Sequence, residues 1–201
     1  MTSNSQLRAL SRNQLDNRIF SGTWITMVIL CLVTSAIPAA INGIPAIGSI
    51  ISLLITGPLT LGLAAVCLMI VRSGGKPELK YIVYGFSKAN FLRSFLISLL
   101  TAIFVVLWSI LFVIPGIVKT YAYSAAYYIA LDDDSNRMTA KECLDRSQQL
   151  MKGHKWQLFM LDLSFIGWYI LGALAFGVGI LFVIPYHQMA RTNFYDKLVN
   201  G

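Results

Sequence analysis

Apolar residues fall along this chain in four long runs, at 23–41, 44–71, 94–118 and 156–186, with charged stretches between them. A stretch of roughly 20 apolar residues crosses the hydrocarbon core of a bilayer as a helix, so the runs predict transmembrane spans. Helix breakers divide the longer runs. Pro38, Gly43, Pro45 and Gly48 punctuate the first turn and leave spans at 23–41 and 50–72. Pro115-Gly116 splits the third run into 91–114 and 117–131, because proline cannot continue the hydrogen-bond ladder and glycine opens the turn. Gly177 and Gly179 divide the last run into 156–176 and 180–198. The pattern therefore predicts an all-α, polytopic integral membrane protein with six transmembrane helices arranged as three hairpins. The first run exceeds the apolar core of a signal peptide and follows a long polar stretch, so it is expected to be a retained span.

A shorter amphipathic segment precedes each hairpin. Over 139–153, Ala140, Cys143, Leu144, Leu150 and Met151 share one helical face, and Lys141, Glu142, Asp145, Gln149 and Lys152 share the other. Thr139 and Glu142 have capping-box spacing, which marks the helix start. Leu79, Ile82, Val83 and Phe86 make a similar stripe over 78–90, and Leu7, Leu10 and Leu15 a poorer one over 6–18. The phrase ILFVIP occurs at 110–115 and again at 180–185, and ITGP at 55–58 stands in the corresponding place of the first hairpin. The expected unit is an interfacial amphipathic helix followed by a hairpin, used three times about an axis along the membrane normal. Its copies are 1–77, 78–134 and 135–201, within a single membrane domain.

Charge orients the spans. Only 12% of the residues are charged, too few to clothe a soluble protein of 201 residues. Of the 16 bases, 15 lie before the first span, between spans two and three, between spans four and five, or at the chain end. The three remaining turns carry no charge. Positive residues gather on the cytoplasmic side, so both termini and both long connections are expected there, in the cell membrane. That orientation also accounts for the net charge of +7, so nucleic acid is not an expected partner. Cys31, Cys67 and Cys143 are scattered and form no CxxC pair, which argues against a disulfide framework or a zinc site.

The phrases IPGIVKTYAYS (114–124), MKGHKWQLFMLDLSFIGW (151–168) and PYHQMARTNFYDKL (185–198) together resemble a bacterial membrane-protein family, the domain-of-unknown-function family numbered 975. The likeness extends over most of the chain from about residue 50. It implies a small polytopic protein of the cytoplasmic membrane and carries no established activity.

Ionisable residues inside spans are costly and therefore informative. Asp162 precedes the Gly177 turn by 15 residues and Arg191 follows it by 14, so antiparallel neighbours would hold them at one depth. They can serve as a latch for the third hairpin or as a proton or ion relay. Lys119 stands near the outer end of span four, where free helix carbonyls, lipid phosphate or an anionic substrate could meet it. On the same span Tyr121, Ser124 and Tyr128 share a face, which would line a polar cavity or contribute interface hydroxyls. Tyr123 lies nearer the opposite face, and Ala122, Ala126 and Ala130 give close-packing spacing. Lys152, His154, Lys155 and Trp156, at the start of span five, suit anionic lipid headgroups. His187, in span six, is expected to be hydrogen bonded rather than to ligate a metal. Asp132-Asp133-Asp134 reads as a solvated connection.

No GxSxG elbow, phosphate-binding loop, dinucleotide fingerprint or HExxH motif occurs, so neither an enzyme nor a cofactor or metal is expected. Two readings remain. One is a non-enzymatic envelope factor that binds anionic lipid or a membrane partner, including a second copy of itself. The other is a small transporter or channel with a polar path among the hairpins.

Overall fold

Each apolar run becomes helical in the computed structural model, which describes residues 3–16, 21–43, 48–111, 113–133, 137–174 and 177–200. The helices are α1 (Asn4–Gln14), α2 (Gly22–Asn42), α3 (Gly48–Ser73), α4 (Phe91–Leu111), α5 (Val113–Tyr123), α6 (Ala126–Asp132), α7 (Ala140–Leu150), α8 (Lys155–Leu174) and α9 (Val178–Asn200). A 3-10 helix, Leu79–Phe86, stands between α3 and α4. No strand occurs among the described residues.

Four of these helices are long and apolar enough to cross a membrane: Gly22–Asn42, Ile51–Ser73, Phe91–Ile110 and Lys155–Leu174. The expectation of six spans is corrected in two places, for different physical reasons. The segment expected to form span four is broken at Ser124–Ala125 into helices of 11 and 7 residues. The segment expected to form span six is one continuous helix of 23 residues, but His187, Arg191, Asp196 and Lys197 make it too polar. Much of α9 is nonetheless buried, including Thr192, Asn193, Phe194 and Tyr195.

The chain divides into two compact units. One comprises Met1–Val33, Val66–Leu79 and Trp156–Gly201; the other comprises Thr34–Ala65 and Lys80–Lys155.

In the first unit, α8 and α9 run antiparallel. Gly172 and Gly179 meet backbone to backbone, and a Cβ on either would lie 2.7 Å from an atom of the opposite chain segment. Further along, Phe165 stacks on His187 with ring centroids 4.5 Å apart and meets Tyr186 edge-on at 4.9 Å. The Trp24 indole of α2 donates to the Phe182 carbonyl at 3.0 Å. Helix α1 docks on α9 through Leu7, Ser11 and Leu15, all buried. The Asn193 side-chain amide donates to Ser11 Oγ at 3.1 Å and to Gln14 Oε1 at 2.6 Å, and Gln14 Nε2 donates back to Asn193 Oδ1 at 3.1 Å. The stripe expected on α1 is thus turned by one position: Leu10 is exposed and Ser11 takes its place inside.

In the second unit, α4 and α5–α6 run antiparallel, with Gly116 against Ser109, Phe104 6.0 Å from Tyr123, and Arg93 paired with Asp133 at 2.8 Å. The break at Ser124–Ala125 has a visible cause. Helix α7 inserts the hydroxyl of Ser147 there, which donates to the Ala122 carbonyl at 2.7 Å and accepts from the Ala125 N–H at 3.2 Å. A side chain that satisfies backbone groups in this way lets a helix bend without leaving buried polar atoms unpaired. Thr139 caps α7 as expected, its hydroxyl accepting from the Glu142 N–H at 3.3 Å while Glu142 Oε2 accepts from the Thr139 N–H at 2.6 Å. Those bonds to Thr139 hold the Glu142 carboxyl below the usual carboxylate range.

The segment expected to form an amphipathic helix over 78–90 is instead the 3-10 helix Leu79–Phe86, and two glycines let it pack closely on α3. Gly62 of α3 lies against the Ile82 backbone, and Gly85 lies against the Pro58 backbone. A Cβ at either would overlap the opposite backbone, which cannot rotate away as a flexible side chain could. Gly85→Ala is therefore expected to destabilise the protein by about 1–3 kcal/mol, the usual range for overpacking. Thermal unfolding in detergent checks this; an unchanged midpoint would refute the close approach.

Candidate functional site

A polar cluster in the first unit lies on the facing sides of α8 and α9. Asp162 is two helical turns into α8, and the antiparallel register brings it opposite Arg191. Arg191 Nε donates to Asp162 Oδ1 at 2.9 Å, and Arg191 Nη2 donates to Oδ2, a bidentate arrangement that is directional as well as strong. The sequence-predicted pair therefore sits together.

Two further residues extend the cluster. His187 Nε2 lies 2.8 Å from the same Asp162 Oδ1, and the Tyr169 hydroxyl lies 3.0 Å from His187 Nδ1. His187 is hydrogen bonded, and Tyr169 had no place in the sequence reading. A spacing signal was present: Tyr169 follows Asp162 by two helical turns, on the same face of α8. The Asp162 side chain is 14% exposed and that of Arg191 35%, so the carboxylate is enclosed and the guanidinium reaches outward. The arrangement can hold a charge pair, orient an imidazole between a carboxylate and a phenol, and accept or release a proton at that imidazole. No group of three or more metal-binding side chains occurs among the described residues.

Lys119, in the second unit, meets different partners from those considered in the sequence. Its ammonium donates to Gln148 Oε1 of α7 at 2.8 Å and lies over the Trp108 and Tyr123 rings at 5.1 and 5.6 Å. An ammonium between two aromatic faces is held by their quadrupoles, and here it ties α7 to α4 and α5. In the structure Lys119 therefore faces α7.

The tyrosine face is divided by the helix break. Tyr121 and Ser124 stay at the end of α5 and its turn, where Ser124 Oγ donates to the Tyr121 carbonyl at 2.8 Å. Tyr128 is buried on α6 and Tyr123 at the end of α5. Ala122, Ala126 and Ala130 are all buried, and Ala122 carries the carbonyl that Ser147 reaches. Asp133 is not solvated as expected: besides Arg93 it accepts the Met138 N–H at 2.7 Å, while Asp134 lies outside the described residues.

Around the start of α8 the four sequence-predicted residues differ in exposure. Trp156 is 70% exposed and Lys152 is exposed, whereas Lys155 is half-buried. His154 has a buried Nδ1 without a hydrogen-bond partner among the described residues, so its ring turns partly inward.

The family model described as protein of unknown function (DUF975) matches residues 1–120 and 110–200, and the chain belongs to that family. No curated protein and no solved structure matches it.

Proposed function

We propose that this member of the DUF975 family is a non-enzymatic protein of the cell membrane, with both termini cytoplasmic, that engages anionic lipid headgroups at the start of α8. One observation carries the reading. Trp156, a large amphipathic ring, is 70% exposed at the first turn of an apolar helix, one residue after Lys155 and four after Lys152. Indole at the headgroup level beside lysine is the pairing expected at a bilayer surface, where each base contributes about 1 kcal/mol toward anionic lipid.

The repeat that the sequence suggests finds support in α1 and α7. Both are 11 residues long, both carry a capping box, and both bury a serine eight residues after the N-cap, Ser11 and Ser147. Each serine meets the helix that contains the ILFVIP proline, Ser147 at Ala122 seven residues after Pro115 and Ser11 at Asn193 eight residues after Pro185. On this reading the two helices are copies of one docking element, which reserves their apolar faces for protein and leaves lipid contact to the start of α8.

Spin-labelled phosphatidylglycerol and phosphatidylcholine competing for the reconstituted protein test the proposal. Wild type is expected to favour the anionic lipid, and Lys152→Gln with Lys155→Gln to lower that preference by roughly fivefold per base at about 1 kcal/mol each. An unchanged ratio would remove the reading. A small transporter is the second reading, and the Tyr169–His187–Asp162–Arg191 chain is the observation that favours it.

A further inference from the structure

We propose that Tyr169, His187, Asp162 and Arg191 form a proton-binding site, loaded at His187, rather than a charge latch alone. The inference extends the transporter reading and is independent of lipid binding at Trp156.

A latch needs two members. Asp162 and Arg191 already neutralise one another, yet the hydrogen-bonded chain continues to an imidazole and a phenol. It also runs in the costly direction. At 1.5 Å per residue, Asp162 lies about 10 Å along the apolar helix α8 from its first residue and Tyr169 about 21 Å, which, were α8 to cross a hydrocarbon core about 30 Å thick, would put both within it. Polar groups at that depth are expensive unless they are used.

The geometry accommodates both protonation states of His187 without moving a heavy atom. In the neutral ring Nε2–H donates to Asp162 Oδ1, and Nδ1 accepts from the Tyr169 hydroxyl. When a proton from water joins the Nδ1 lone pair, both nitrogens donate. The Tyr169 O–H then rotates away and its oxygen becomes the acceptor; no covalent bond breaks. Such a donor–acceptor reversal suits a hydroxyl, which carries both functions. The set passes from no net charge to +1. Two cations then compete for the single Asp162 carboxylate, so loading the proton loosens Arg191.

From α8, Phe165 stacks on the imidazole. Tyr186, beside Phe165, meets the Trp24 ring of α2 with centroids 6.2 Å apart. Cys67 of α3 meets Thr192, and Arg72 is engaged one turn further on by Asp196 at 3.1 Å. Asp162 supplies the carboxylate that is hydrogen bonded to His187.

With only two histidines in the chain, the test is direct. A His154→Asn protein labelled with nitrogen-15 in histidine and arginine is placed in nanodiscs and followed by NMR from about pH 8 to 5, the interval in which imidazole changes charge. The wide separation between the two His187 ring-nitrogen signals is expected to collapse to that of an imidazolium. The Arg191 Nε signal, assigned by its loss in Arg191→Lys, is expected to move over the same interval. Ring nitrogens that remain apart throughout would overturn the proposal. So would a histidine that titrates while Arg191 stays still, since that would make it an isolated group and not part of a coupled site.

Discussion

Asp162→Ala is expected to destabilise the α8–α9 hairpin by about 3 kcal/mol. Removing one partner of a buried ion pair typically costs about 3–5 kcal/mol, because the remaining charge keeps its desolvation penalty and loses its compensation. The lower end applies because Arg191 is 35% exposed and recovers part of its solvation. Deleting the carboxylate also removes Oδ1, the acceptor that His187 Nε2 and Arg191 Nε share. The exchange Asp162→Arg with Arg191→Asp should recover most of the loss, since it rebuilds an opposite pair at the same depth. Unfolding of the three proteins in mixed detergent micelles would decide the matter. If the single variant unfolds at the wild-type midpoint, the pair contributes nothing to stability.

Ser147→Ala is expected to cost about 2–4 kcal/mol, an unusual amount for deleting one oxygen. The hydroxyl satisfies two backbone groups at the α5–α6 break, the Ala122 carbonyl and the Ala125 N–H. A buried backbone group without a partner costs about 1–3 kcal/mol, and here two lose theirs together. Ser147→Thr keeps the hydroxyl and should retain most of the stability. Amide exchange at Ala125 is the local measurement: it should accelerate strongly in the alanine protein and little in the threonine one. Equal exchange in all three would mean that Ser147 does not close the break.

Much of the architecture was legible because the quantities that govern it are local. Runs of apolar residues predicted helices, and α2, α3, α4 and α8 are long and apolar enough to cross a membrane. Offsets of 15 and 14 residues from Gly177 put Asp162 and Arg191 near one depth, because an antiparallel hairpin converts sequence distance from its turn into depth, and the structure pairs them. Capping-box spacing at Thr139 and Glu142 marked the start of α7 for the same reason: the two residues lie within one turn.

What escaped was governed by partners distant along the chain. Nothing near Ser124 announces a break, since its cause is Ser147 on α7. Lys119 has no acid nearby in sequence, and the group that accepts its hydrogen bond is Gln148, an uncharged side chain from another helix. Asp133 lies among acids and would be solvated if it stood alone, but Arg93 meets it across the unit. Serine at position 11 looks like a flaw in an apolar stripe until Asn193 supplies its partner.

By itself, then, the sequence determined that the chain is helical, that several of its helices are apolar enough for a bilayer, and that Asp162 and Arg191 stand at nearly one depth about the Gly177 turn. These depend on composition and on spacing within a helix or across a turn. Only the tertiary structure decided that α5 and α6 are separate helices, that α1 and α7 bury their serines against other helices, and that His187 and Tyr169 join Asp162. A polar side chain is tolerated in an apolar interior according to what lies opposite it, and that neighbour is chosen by packing rather than by proximity along the chain.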